Sequence, residues 1–253
     1  MQLTLKKSLG QHFLKDEAMC MRIVAQPNYT PGMNLVEIGP GGGAITKYLI
    51  QQENINFKVI EIDAEKVAYL PKTFPALEGK IIHTDFLEAA LPFDAASFSI
   101  IGNFPYNIST QIMFKVYEWE QHVDQVIGMF QKEVSERIAA KPGSKVYGIL
   151  SVLIQAFYNV EYLFDVPPTC FNPPPKVMSG VIKATKTDNP YQIENKDRFR
   201  KIVKAAFGQR RKTLRNALKG FWPNEMMQTD IFNKRAEQLS VQDFVDLYNM
   251  KQL

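Results

Sequence analysis

The stretch Asn34-Leu35-Val36-Glu37-Ile38-Gly39-Pro40-Gly41-Gly42-Gly43, continued by Ala44-Ile45-Thr46-Lys47-Tyr48-Leu49-Ile50, decides the fold of this chain. A short apolar run, broken by glycines and followed by residues of helical period, reads as a buried strand that turns into a helix. The pattern then repeats. Phe57 to Asp63 is a second strand, followed by a helix from Ala64 to Leu70. Lys80 to Asp85 is a third strand, the run ending at Asn103 a fourth, and Val123 to Phe130 a fifth, leading into a helix from Lys132 to Ala140. Strands separated by helices predict a parallel, doubly wound α/β sheet. In such a sheet, ligands sit beyond the C-terminal ends of the strands.

Beyond the Lys141-Pro142-Gly143-Ser144-Lys145 turn, Tyr147 to Phe157 reads as helix, and a proline-rich loop runs through Pro167-Pro168 and Pro173-Pro174-Pro175. Val177 to Thr185 reads as a closing strand, half of an antiparallel hairpin with Val160 to Phe164. Thr187-Asp188-Asn189-Pro190 is the most linker-like stretch. After it, Phe199, Ile202, Val203, Ala206 and Phe207 recur at helical spacing, as do Phe244, Leu247 and Tyr248. The expected division is therefore a catalytic-type domain over 1–187 and a small all-helical domain over 188–253.

Composition narrows the function classes. A hydrophobic fraction of 45% over 253 residues is ample for a buried core. No apolar run approaches the roughly 18 residues needed to span a membrane. The first residues lack the apolar core of a signal peptide, so a cytoplasmic chain without a membrane partner is expected. Cys20 and Cys170 are too few for a disulfide scaffold. His12, His83 and His122 are scattered, so no metal is expected. The net charge is only +4, yet Lys183 to Lys219 holds twelve Lys or Arg and three acids, a local balance of +9. A basic segment on a net acidic body points to a polyanion, most simply nucleic acid; a solvated helix face would carry the same charges.

Three features mark a ligand crevice. Gly39-Pro40-Gly41 at a strand end lets the backbone approach a ligand closely. Glu61, 22 residues after Gly39, ends the second strand where an acid can accept from ribose hydroxyls, with Asp63 as its nearby competitor. Asp85 ends the third strand and can accept from an adenine amino group. An acid after each strand suits an adenosyl ligand without phosphates, such as S-adenosylmethionine. The run also fits G-x-G-x-x-A, so a dinucleotide reading stays open, as do tight turns for the glycines and helix caps for the acids.

Ile101-Gly102-Asn103-Phe104-Pro105-Tyr106-Asn107-Ile108-Ser109-Thr110 places a side-chain amide, a backbone carbonyl and an aromatic ring together at the end of the fourth strand. Phe104 precedes proline, which biases it to extended backbone. Such a loop can hold a planar base beneath Tyr106 while Asn103 and the Phe104 carbonyl accept from an exocyclic amine. An ordinary strand-to-helix turn would read the same way.

Four separated segments are similar to the ribosomal RNA adenine N6,N6-dimethyltransferase family. They are Leu9-Gly10-Gln11-His12-Phe13-Leu14, Val36-Glu37-Ile38-Gly39-Pro40-Gly41, Gly102-Asn103-Phe104-Pro105-Tyr106-Asn107-Ile108-Ser109 and Phe171-Asn172-Pro173-Pro174-Pro175-Lys176-Val177. Gln131-Lys132-Glu133-Val134 and Phe207 to Asn216 extend the similarity into the C-terminal region. The resemblance implies a Rossmann-like sheet of the class I S-adenosylmethionine-dependent methyltransferase type, followed by a helical RNA-binding domain.

It further implies that His12 and Leu14 border the methionine end of S-adenosyl-L-methionine and that Gly39 and Gly41 form the floor. Glu61 would hold the ribose and Asp85 the adenine. Asn103 and Tyr106 would form the catalytic loop, with Phe171 stacking on the other face of the target base. Phe104 stands where the family usually has an aliphatic residue; its backbone carbonyl is the working group. Arg210, Arg211, Lys212 and Arg215 would contact phosphates, with Lys6 and Lys7 adding to that surface. The implied partner is small-subunit ribosomal RNA or the immature small ribosomal subunit, and the chain is expected to act as a monomer. Three rivals stand beside this reading. They are a large-subunit ribosomal RNA methyltransferase of the macrolide-resistance type, a ribosome-assembly checkpoint with methylation secondary, and a nicotinamide dehydrogenase.

Overall fold

The computed structural model describes residues 12–250. Lys6, Lys7 and the Leu9-Gly10-Gln11 part of the first motif lie outside the described residues. The elements begin with β1 (Phe13–Leu14), α1 (Glu17–Val24), β2 (Met33–Ile38), α2 (Thr46–Leu49), β3 (Ile55–Glu61), α3 (Ala64–Thr73) and β4 (Ile81–His83). They continue through β5 (Phe98–Asn103), α4 (Ser109–Glu118), β6 (Val123–Gln131), α5 (Lys132–Ile138), α6 (Ile149–Gln155), β7 (Tyr158–Val166), β8 (Phe171–Asn172) and β9 (Ser179–Lys186). The last are α7 (Lys196–Gly208), α8 (Leu214–Ala217) and α9 (Val241–Asn249).

Seven strands form one sheet in the order β4-β3-β2-β5-β6-β9-β7. The pairs β2–β3, β2–β5, β3–β4 and β5–β6 are parallel, whereas β9 runs antiparallel to β6. The chain order therefore reverses between β2 and β5, and the crevice at such a switch point is where ligands lodge. Leu35, Val36, Val59, Ile100, Ile101, Val126 and Ile127 are buried on both faces of this sheet, which explains why their strands read as continuous apolar runs. Each such side chain removed from water contributes about 1.5–3 kcal/mol.

Local chemistry sets the element ends. Asp63 caps α3 by accepting from the Glu65 N–H at 3.1 Å. That helix runs past the expected stop at Leu70 and through Pro71 to Thr73. Proline forfeits one backbone donor, but the Phe74 N–H still reaches the Leu70 carbonyl at 2.7 Å and closes the final turn. The helix expected over Ala44 to Ile50 is regular only over Thr46–Leu49, with hydrogen-bonded turns on both sides.

The chain folds into two compact units. One runs to Ser135 and includes Glu161–Lys186; the other joins Glu136–Val160 to the residues from Thr187 onward. The expected domains 1–187 and 188–253 were continuous, so Glu136–Val160 changes sides. The reason is the all-round apolar character of α6, whose Leu150, Val152, Leu153 and Ile154 are buried. Beside it, Tyr147 lies 6.1 Å from Phe207 of α7, and Phe207 stacks on Phe244 of α9 at 5.7 Å. The isolated C-terminal helices have apolar faces that this segment covers.

Candidate active site

The C-terminal ends of β2, β3 and β5 surround a cavity of about 230 Å³, whose lining includes His12, Leu14, Glu37, Gly39, Gly41, Glu61, Ile62, Asp85, Asn103 and Tyr106. Gly39 and Gly41 turn β2 toward α2 with φ of +67° and +57°, a backbone region that residues with a Cβ rarely occupy. The Gly39 N–H donates to the Ile60 carbonyl of β3 at 2.9 Å, so the loop is pinned to the neighbouring strand beside the switch point. Eight of the sequence-derived site residues, His12, Leu14, Gly39, Gly41, Glu61, Asp85, Asn103 and Tyr106, thus line one cavity.

Glu61 organises the floor. Its Oε2 accepts from the Gly41 N–H at 3.2 Å and its Oε1 from the Asp63 N–H at 2.9 Å. Each carboxyl oxygen has two lone pairs, so both retain capacity toward the cavity. The competitor Asp63 is otherwise employed, because its Oδ2 meets the Lys66 ammonium at 2.8 Å in a fully buried ion pair. Asp85 accepts from the Leu87 N–H at 2.9 Å through Oδ1. His12 is held by Nδ1 at 3.0 Å from the Pro173 carbonyl, and its ring lies 5.5 Å from that of Tyr106.

The loop after β5 is anchored on several sides. Asn103 Nδ2 donates to the His12 carbonyl at 3.2 Å. A carbonyl only accepts, so the amide nitrogen faces it and Oδ1, which accepts from no described residue, is left as an acceptor. The Phe104 N–H donates to the Met129 carbonyl at 3.1 Å, while no described residue donates to the Phe104 carbonyl. The Phe104 ring is buried and lies 4.9 Å from Phe130. It occupies a slot above Gly102 and Gly128, which are register partners on β5 and β6. A Cβ at either glycine would come within 2.6 Å of this ring. Tyr106 O–H and Ser179 Oγ are 2.6 Å apart. Burial pushes the Tyr106 phenol upward, and the Ser179 bond partly opposes that shift.

Phe171 requires a correction. It is 1% exposed, packs in the core with Leu14, Met129, Phe164 and Val181, and does not line the cavity. β8 pairs antiparallel with β1, so Leu14 stands opposite Phe171, and the short ladder turns the ring inward. In this structure Phe171 is a core aromatic.

Two lining residues escaped the sequence reading. Glu37 is completely buried, and burial pushes its carboxyl up to about 8, against the lowering effect of the Thr46 hydroxyl that donates to it at 2.7 Å. The nearby Glu61 charge acts in the same direction as burial. A carboxyl inside an otherwise apolar strand was the available signal. Ile62, 47% exposed and directly after β3, offers an apolar wall to the cavity.

The C-terminal basic residues fall into two kinds. Arg210 donates to the Lys145 carbonyl at 2.7 Å, and Arg215 donates to Asn233 Oδ1 at 3.2 Å, with its Nε buried. Arg211 and Lys212 are exposed on the turn between α7 and α8, with no side-chain hydrogen bond or ion pair among the described residues. Among the described residues no group of three or more His, Cys, Asp or Glu could hold a metal ion, and no helix is long and apolar enough to cross a membrane.

Among the described residues, the cavity lining has three carboxyl groups, those of Glu37, Glu61 and Asp85, and no lysine or arginine. A pyrophosphate would meet unfavourable charge there, whereas a ribose diol and an exocyclic amine would find acceptors. This disfavours a dinucleotide and fits an adenosyl group.

Comparison with known proteins agrees with that chemistry. A family model described as ribosomal RNA adenine dimethylase matches residues 2–253. "Ribosomal RNA small subunit methyltransferase A" of Cytophaga hutchinsonii is 52% identical over 248 residues, covering 97% of this chain and 96% of its own. The protein of the same name from Phocaeicola vulgatus is 51% identical over 248 residues, covering 96% and 88%. The fold matches a dimethyladenosine transferase from Plasmodium falciparum with a TM-score of 0.81 at 24% identity, over 93% of this chain and 96% of that one. It also matches the 23S rRNA methyltransferase ErmE with a TM-score of 0.73 at 20% identity, over 94% and 100%. The doubly wound sheet is thus of the class I S-adenosylmethionine-dependent methyltransferase type, and the chain belongs to the ribosomal RNA adenine dimethylase family.

Proposed function

We propose that this chain transfers methyl groups from S-adenosylmethionine to the N6 amino groups of two adjacent adenosines near the 3′ end of small-subunit ribosomal RNA, acting on the immature subunit in the cytoplasm. The observation that carries the assignment of roles is the Asn103 bond to His12, which leaves Asn103 Oδ1 and the Phe104 carbonyl as adjacent acceptors. The relatives named for the small subunit, at 52% and 51% identity, support that subunit over the large one.

The bound cofactor supplies an electrophilic methyl group on a sulfonium. Glu61 accepts from the ribose hydroxyls, Asp85 from the adenine amino group, and Gly39 and Gly41 allow close backbone approach. His12 and Leu14 close the methionine end. Tyr106 supplies a ring face for the target base; base–aromatic stacking is worth about 1–3 kcal/mol, which helps offset unstacking from the RNA.

The adenine amine is a weak nucleophile because its lone pair is delocalised into the ring. Asn103 Oδ1 and the Phe104 carbonyl accept its two hydrogens and turn the lone pair outward. As positive charge develops on nitrogen, these fixed acceptors stabilise it more than they stabilise the ground state. No lysine, cysteine or histidine lies in the loop from Asn103 to Thr110, so positioning carries the rate rather than a side-chain base. Arg211 and Lys212 contact phosphates without reading bases, with Arg210 and Arg215 beside them. The test is transfer of labelled methyl groups to purified small and large subunits, with the modified positions mapped. Label confined to the large subunit would sink the proposal.

A further inference from the structure

Tyr106 sits in a three-residue 3-10 turn, Tyr106–Ile108, which has no side-chain cap and no buried residue. So short a turn cannot by itself fix an aromatic ring. The His12 ring, tilted by 30° at 5.5 Å, restrains one side of it. The polar end is held from a different part of the chain. Tyr106 O–H lies 2.6 Å from Ser179 Oγ, 73 residues away.

Ser179 is itself rigidly placed. It is fully buried at the first position of β9, opposite Gln131 of β6. Immediately before it, the Met178 carbonyl accepts from the Lys132 N–H at 2.9 Å. Immediately after it, the Gly180 carbonyl accepts from the Ser135 hydroxyl at 2.8 Å. Gly180 has no room for a side chain, because a Cβ there would lie 2.9 Å from that of Ser135. The serine therefore sits on backbone tied on both sides, and its hydroxyl meets the hydroxyl at the far end of a ring whose own short turn supplies no side-chain cap.

From this geometry we infer that Ser179 is a positioning residue for methyl transfer, acting through the Tyr106 hydroxyl to fix the ring against which the target base stacks. The inference rests on the reading of Tyr106 as the base platform. The proline-rich loop 171–177 leads directly into β9, so this one hydrogen bond also ties the end of that loop to the platform.

The test is a double-mutant cycle between Ser179→Ala and Tyr106→Phe, each assayed with labelled S-adenosylmethionine on small subunits lacking the modification. Either variant should lower kcat roughly 10-fold, since small displacements of a positioning group are costly. Cofactor affinity by calorimetry should stay at the wild-type value, and the thermal midpoint should fall by no more than a few degrees, because each single variant leaves one hydroxyl without its partner. The double variant should be no slower than the single ones, because both remove the same bond. Losses that multiply, or a wild-type rate in Ser179→Ala while Tyr106→Ala is inactive, overturn the inference and leave the active-site reading intact. Full activity of Tyr106→Ala overturns that reading and the inference with it. If Ser179→Ala does not fold, Tyr106→Phe removes the bond from the exposed side, and a wild-type rate in that variant is equally decisive.

Discussion

Asn103 Nδ2 and the backbone carbonyl of His12 are joined by a hydrogen bond of 3.2 Å across 91 residues. The bond does more than tie an N-terminal segment to β5. It decides which end of the amide faces the cavity, since the carbonyl can meet only the nitrogen. Replacing Asn103 by Ala should reduce methyl transfer at least 100-fold while RNA binding persists. Asn103→Asp should fail comparably, because its carboxylate sets an acceptor against the His12 carbonyl. Single-turnover transfer rates check both, and an active Asn103→Asp variant would show that amide orientation is irrelevant.

The second prediction concerns the slot under Phe104. Gly128→Ala places a methyl group within 2.6 Å of the Phe104 ring, and over-packing of this kind costs about 1–3 kcal/mol. Denaturant unfolding should register that loss, and transfer should slow because the ring carries the proposed acceptor carbonyl with it. Phe104→Leu should retain most of the transfer activity, since the carbonyl belongs to the backbone.

Glu37 gives the third. Its folded-state pKa, about 8, lies above the ordinary value of 4.5. Between those two values the folded chain holds a proton that the unfolded chain has lost, so stability falls as pH rises through that window. Glu37→Gln imitates the protonated form and should flatten this dependence. At pH 8 its thermal midpoint should exceed wild type, on the order of 2–4 °C or more. A midpoint below wild type at pH 8 would refute the buried, proton-retaining carboxyl.

The fourth separates the basic residues. Arg211→Gln with Lys212→Gln should weaken RNA binding and reduce the slope of log affinity against log salt by about 1 for each phosphate no longer neutralised. The thermal midpoint should not move, because both side chains are exposed without side-chain partners among the described residues. Arg215→Gln should instead lower the midpoint, because that guanidinium is held by Asn233 and partly buried. Salt titrations and melts on the same samples read both effects.

Much of the sheet was legible because its strands are buried on both faces and bounded by glycine, proline or acids, so local pattern and tertiary environment agree. The crevice was legible for a related reason. Strand ends at a switch point concentrate polar residues in an apolar sequence, and Glu61, Asp85 and Asn103 stand out there. The Glu61 and Asp63 alternatives were not separable by pattern, since both suit a strand end. Only the buried Lys66 ion pair, which commits Asp63, resolves them.

Along the stretch from Asn34 to Ile50, and in its repeats, the sequence by itself determined the alternation of strands and helices, the glycine turn and the positions of the acids. These follow from short-range sterics and from the period of apolar residues. Tertiary structure alone decided that Phe171 turns into the core, that Glu136–Val160 packs with the C-terminal helices, and that Ser179 meets Tyr106. Each depends on partners distant in sequence, and a side chain's direction is set by whichever partner the completed fold brings to it.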